Sequence, residues 1–116
     1  MNHSSTDVSK QIARIWRGWT TKENAPALER VFRDNAIPGI ELSKPKGLIG
    51  ITLLTLERGS EVEFTTILYF DTLESVKAFA GDDYEKAHID PAVQPLLLRY
   101  DKRVEHHMLK ESRNWN

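Results

Sequence analysis

Residues 48–70 read LIGITLLTLERGSEVEFTTILYF, two β-rich runs joined by a short link at Arg58-Gly59-Ser60-Glu61. β-branched and aromatic residues dominate Leu48–Glu57 and Glu63–Phe70, and a glycine-containing link between two such runs predicts a hairpin. Neither run alternates cleanly between apolar and polar. Leu48, Gly50, Thr52, Leu54 and Leu56 share one face, while Ile49, Ile51, Leu53 and Thr55 share the other. Phe64, Thr66, Leu68 and Phe70 likewise oppose Thr65, Ile67 and Tyr69. Both faces of the hairpin are thus substantially apolar, whereas a sheet with helices on one side and water on the other should alternate.

Toward the N-terminus, Leu28, Val31, Phe32 and Asn35–Ala36 recur at helical spacing, and Ile37-Pro38-Gly39 is expected to end that helix. Thr20 and Glu23 have the spacing of a capping box, but Pro26 places the regular start nearer Glu23 or Asn24. Gln11–Thr20, rich in Ile, Trp and Thr and short for a helix, reads as the first strand. Ile40–Gly47, with Pro45 and Gly47, reads as a loop. After the hairpin, Asp71 or Thr72 caps a second helix that buries Leu73, Val76, Phe79 and Ala80 and stops at Gly81. Pro91 and Pro95 break Asp82–Leu98 into short pieces, and Arg99–Lys110 reads as the last strand. The order is β-α-β-β-α-β, an α+β, ferredoxin-like antiparallel sheet with both helices on one face and the first and last strands expected at its centre. Residues 1–10 are expected to be a flexible polar tail, 11–111 the folded domain and 112–116 a C-terminal tail.

Composition narrows the function. Sixteen Lys and Arg against seventeen Asp and Glu, interspersed, give a formal charge of −1, which argues against nucleic acid as a partner. The absence of cysteine excludes disulfides, thiolate metal sites and a cysteine nucleophile. The polar start lacks the apolar run of a signal peptide, and no stretch approaches the roughly 20 apolar residues of a membrane span, so a cytoplasmic protein without a membrane partner is expected. There is no phosphate-binding glycine loop and no His-Glu-x-x-His spacing; no metal is expected.

Candidate site residues follow from strand parity. His106 shares a face with Val104 and Met108 and is either a hydrogen-bonded core group or the polar, catalytic anchor of a cleft, with a pKa lowered by burial unless a carboxylate is near. Trp16 and Trp19 fall on opposite faces of the first strand; Trp16 is either packing or a platform for a flat ligand. Gly18, beside it, is expected to mark a bulge or a close approach by a ligand or another backbone. Tyr69 is a core residue or a hydroxyl donor to the cleft, and Phe79 on the second helix completes the expected ligand-binding set with His88, which lies in the broken segment His88-Ile89-Asp90-Pro91.

Ile12-Ala13-Arg14-Ile15-Trp16-Arg17-Gly18, Phe79-Ala80-Gly81-Asp82-Asp83 and Val104-Glu105-His106-His107 together resemble the dimeric α+β barrel superfamily, specifically antibiotic biosynthesis monooxygenase (ABM) domains, over about Gln11 to Glu111. The resemblance implies a homodimer with facing sheets and, in each subunit, a cleft between sheet and helices. In characterised members that cleft holds an aromatic polyketide or a haem, oxidised without flavin or a dedicated metal site. Those enzymes use an asparagine together with a tryptophan; the first strand and the hairpin here contain no asparagine, so the fold carries over and the catalytic set does not. A haem-holding histidine would have to be His88, and no cofactor is expected. The expected functions are cofactor-independent oxygenation of a small, flat, apolar molecule, or binding of such a molecule without chemistry.

The two-faced hairpin carries its own test. Light scattering at micromolar concentration should report about twice the 13.3 kDa chain mass. A monomer would remove the argument for a facing sheet.

Overall fold

A computed structural model describes residues 10–115; the expected N-terminal tail falls, except for Lys10, outside the described residues. The elements run β1 (Ile12–Thr21), α1 (Ala25–Val31), a π-helical turn (Phe32–Ala36), α2 (Ile37–Ser43), β2 (Leu48–Arg58), β3 (Glu61–Phe70), α3 (Leu73–Ala80), a 3-10 turn (Gln94–Leu96), β4 (Arg99–Tyr100) and β5 (Glu105–Met108). The strands form one five-stranded antiparallel sheet in the order β2-β3-β1-β4, with β5 also paired to β1. This is the α+β, ferredoxin-like arrangement expected from the sequence.

β3 turns back through Gly59-Ser60, where Gly59 takes φ 62°, and inserts between β2 and β1. The expectation that the last strand is central is therefore corrected. β1 and β3 occupy the centre through an uninterrupted register from Ile12↔Phe70 to Thr21↔Glu61, and β4 and β5 form an edge. The last strand is also two strands rather than one. Between them the chain leaves β1 to pair with the loop after α3: Ala87 N–H donates to Lys102 O and Val104 N–H to Glu85 O, 2.9 and 2.7 Å.

The first helical segment does not stop at Pro38. Ile37 N–H bonds the Phe32 carbonyl five residues back, widening the turn by one residue. That extra residue shifts the carbonyls away from the Pro38 ring, which would clash in a regular α-helix and has no N–H to lose. The helix then continues into what the sequence marks as loop and ends at Lys44, in the left-handed conformation before Pro45. The capping-box reading is corrected as well. Thr21 Oγ1 accepts from Asn24 N–H at 3.0 Å, while Thr20 faces inward. At α3 the expected cap is present: Thr72 accepts from Ser75 N–H and Gly81 closes the helix at φ 89°.

Two packed clusters fill the space between sheet and helices. Trp16, Leu28, Phe32, Val62, Phe64, Val93 and Val104 form one, and Ile12, Leu68, Phe70 and Val76 the other. No helix among the described residues is long and apolar enough to cross a membrane.

Thr20 ties the sheet to the long connection after α3. Its fully buried hydroxyl donates to Leu96 O at 2.6 Å. Thr20→Val keeps the β-branched shape but strands that carbonyl, so urea unfolding should show a loss of roughly 1–3 kcal/mol with an unchanged m-value.

Candidate functional site

The strict alternation of β1 decides which residues reach the helix side. Ile12, Arg14, Trp16, Gly18 and Thr20 are buried there, and Ala13, Ile15, Arg17, Trp19 and Thr21 face the other way. Against the buried face, α1, α2, α3 and the loop after α3 do not close completely. They leave a cavity of about 390 Å3 lined by Arg14, Trp16, Phe32, Ile37, Ile40 and Phe79, with Thr66 and Leu68 at its floor and His88 and Asp90 at its loop side. Its walls are mainly apolar and its size suits a ligand of two or three fused rings.

Aromatic packing fixes these walls. Trp16 and Phe32 have centroids 6.2 Å apart, Phe32 stacks on Phe64 at 5.8 Å, and Phe79 leans on Phe70 at 5.4 Å. The Trp16 indole N–H donates to Asp101 O at 3.0 Å, which leaves only its ring face to offer a ligand. Gly18 is needed for this rotamer. A Cβ there would lie 2.5 Å from the Trp16 ring and 3.1 Å from Leu97, so what approaches Gly18 is side chains, the neighbouring indole first, rather than a ligand or another backbone.

The sequence-derived candidates divide between three places. Trp16, Phe79 and His88 line the cavity. His88 is exposed and its Nε2 contacts Ala80 O at 3.1 Å, an arrangement that commits this nitrogen to donation. Tyr69 lies on the opposite face of the sheet, paired with Ala13 and Gly50, and does not line the cavity. His106 borders an adjoining open recess with Tyr84, Glu85 and Met108 and meets the cavity through Arg14.

Arg14 is the residue that strand reading passed over. It is 5% exposed, and its Nη1 donates to Tyr84 O and to His106 Nε2, the latter at 2.9 Å. Its Nη2 reaches Lys86 O at 3.4 Å and its guanidinium sits 5.9 Å from the Phe79 ring centre. Burial pulls its pKa below the ordinary arginine value, yet a guanidinium remains charged at any working pH. The signal was in the sequence: an arginine on the same parity as Ile12 and Trp16 in a long strand has no route to solvent.

Because Arg14 donates to Nε2, His106 is held as the neutral ring with its proton on Nδ1. Burial pushes the imidazole pKa down, as expected; the Arg14 charge and His107 push the same way, and Glu85 opposes. The unfolded chain therefore binds the proton more readily than the folded one. This contribution to stability is present above about pH 6.5 and is lost as pH falls through the lower folded value. In an NMR titration the His106 ring should have its midpoint below about 6.5. Arg14→Gln should recover only part of the depression, since burial is the larger cause.

No protein-family model and no curated protein matches the sequence. Among solved structures, a candidate antibiotic biosynthesis monooxygenase from Bacillus cereus superposes with a TM-score of 0.62 at 13% identity, over 90% of this chain and 99% of that one. Its counterpart from Caulobacter crescentus gives 0.62 at 19% identity, over 90% and 93%. SnoaB, a cofactor-independent oxygenase from Streptomyces nogalater, gives 0.50 at 21% identity, over 90% and 96%. The strand order, the helix-covered face and these superpositions agree: the chain has the fold of the antibiotic biosynthesis monooxygenase-like proteins.

Proposed function

We propose that this chain forms a homodimer through the outer face of its sheet and that each subunit binds a small, flat, largely apolar molecule between sheet and helices, oxidising it with O2. The observation that carries the reading is the cavity itself, an apolar space of about 390 Å3 walled by Trp16, Phe32 and Phe79. Its fold likeness to SnoaB, a cofactor-independent oxygenase, supports the same chemistry. The outer face supports the dimer: Leu54 and Leu56 are about half exposed there beside Ile15, Trp19, Ile67 and Tyr69. A patch of this kind on a single subunit is normally covered.

In the proposed reaction an electron-rich phenol loses its hydroxyl proton and its ring carbon passes electron density to O2. A carbon–oxygen bond forms to give a hydroperoxide. The oxygen–oxygen bond then breaks with loss of the proton on that carbon, leaving a quinone and one water. One oxygen atom enters the ring and the other leaves as water, so O2 is the sole oxidant. The protein orients the ring against Phe32 and Phe79, shields it from water and favours the oxyanion through Arg14.

A second reading, binding without chemistry, is favoured by the cavity lining, which contains no asparagine among the described residues. An oxygen electrode separates the two. With naphthol or anthrone as substrate, many turnovers of O2 uptake per subunit are expected, and Ile40→Trp, which fills the cavity, should lower the rate at least roughly tenfold. Uptake no faster than without protein, with binding intact, would leave the second reading.

A further inference from the structure

Arg14 carries a positive charge into a largely apolar cavity with no ion-pair partner among the described residues. A buried cation is costly unless it is paired and hydrogen-bonded. Each contact it makes within the described residues is to a neutral acceptor: the carbonyls of Tyr84 and Lys86 and the ring nitrogen of His106. Among the described residues no carboxylate lies within ion-pair distance of Arg14, although Asp90 lines the same cavity. Glu85 bonds Arg103 at 3.2 Å, Glu105 pairs with Arg17 at 3.4 Å, and Asp90 accepts from Ala92 N–H at 2.8 Å within its own turn.

A guanidinium has five N–H donors in a planar fork. Three at most serve the contacts above, and none of them uses Nε, so Nε–H and one Nη2–H remain for the cavity that Arg14 lines. Two donors on one edge of the fork match two oxygens of a carboxylate, or converge on a single oxyanion. Arg14 is only 5% exposed, so an oxygen that meets its remaining donors does so within the cavity. The cavity's lining is mostly apolar; its one acid, Asp90, stands at the loop side, and His88 is exposed at its rim.

We propose that the ligand of this cavity is an aromatic anion, a carboxylate or an ionised phenol, whose oxygen takes the free edge of the Arg14 guanidinium while its rings lie against Phe32 and Phe79. The inference rests on the cavity being the binding site and adds the charge of what it binds. His106 acts as a positioning residue. It holds the far edge of the guanidinium and, remaining neutral, adds no second charge behind it.

The test uses three probes: naphthoate, its neutral isostere naphthamide, and nitrophenol, whose visible absorbance reports its ionised fraction. By calorimetry the wild-type protein should bind naphthoate roughly tenfold to a hundredfold tighter than naphthamide, the range expected for hydrogen bonds to a charged group. Arg14→Gln should abolish the preference, and Arg14→Lys, which keeps the charge and loses the fork, should retain part of it. A larger ionised fraction of bound than of free nitrophenol supports the phenolate form. A naphthoate preference without that change supports the carboxylate form. Equal binding of naphthoate and naphthamide by the wild type overturns the inference and leaves the cavity reading standing. If neither naphthyl compound binds, the cavity reading falls and takes the inference with it. Should Arg14→Gln fail to fold by circular dichroism, the wild-type pair and Arg14→Lys decide the question alone.

Discussion

The two-residue period of β1 is the constraint on which the molecule depends. β1 is paired on both edges, by β3 along its whole length and by β4 and β5 on the other side, so it can neither slip nor rotate without moving every strand. Once its register is fixed, alternate side chains are assigned without further choice. One set, Arg14 and Trp16 among them, is delivered under the helices; the other, with Ile15 and Trp19, is delivered to the outer face. Candidate ligand site and candidate dimer surface are thus two readings of one strand, separated by a single residue.

The cavity is a consequence of how that inner face is covered. Helices crossing a sheet pack well where large side chains fill the gap, as Phe64, Leu28 and Phe32 do at one end and Phe70 and Val76 at the other. Between the two clusters stands Arg14, whose side chain is drawn sideways toward Tyr84 and His106 at the sheet edge. Thr66, opposite Trp16 in the register, is small. A long polar side chain and a short one at adjoining floor positions leave the middle of the layer unfilled.

Much of this was legible in the residues. The hairpin, the first strand, the second helix with its cap at Asp71 or Thr72 and its Gly81 stop, and the opposite faces of Trp16 and Trp19 all follow from local chemistry that tertiary contacts did not override. The errors have local causes too. Pro38-Gly39 has the composition of a helix end, and only a widened turn, which leaves no clear composition signal, lets the helix pass through it. The position of the last strand could not be read from its own residues, since Glu105–Met108 is short and its neighbours are chosen by where β3 inserts. For the site, aromatic residues announce themselves as ring platforms, whereas Arg14 looked like one more charged residue until its parity was weighed against Ile12 and Trp16. Tyr69 shows the opposite failure: its chemistry suited a site, and its position in β3 set it on the far face.

The π-helical turn has a bearing on how chain length can vary here. Phe32 and Ile37 both line the cavity although they are five residues apart, and between them Arg33, Asp34 and Asn35 are exposed. In a regular α-helix, residues four apart lie on one face, so loss of one of those three would bring Ile37 back into phase with Phe32 by ordinary geometry. Pro38 would have to be replaced at the same time, because the regular turn would press its ring against a carbonyl. The wall of the site is therefore indifferent to a one-residue deletion that would rotate the remainder of most helices by about a quarter turn. Relatives with the shorter segment and no proline could keep the same lining, and a gap placed there in a comparison of sequences would say nothing about what the cavity holds.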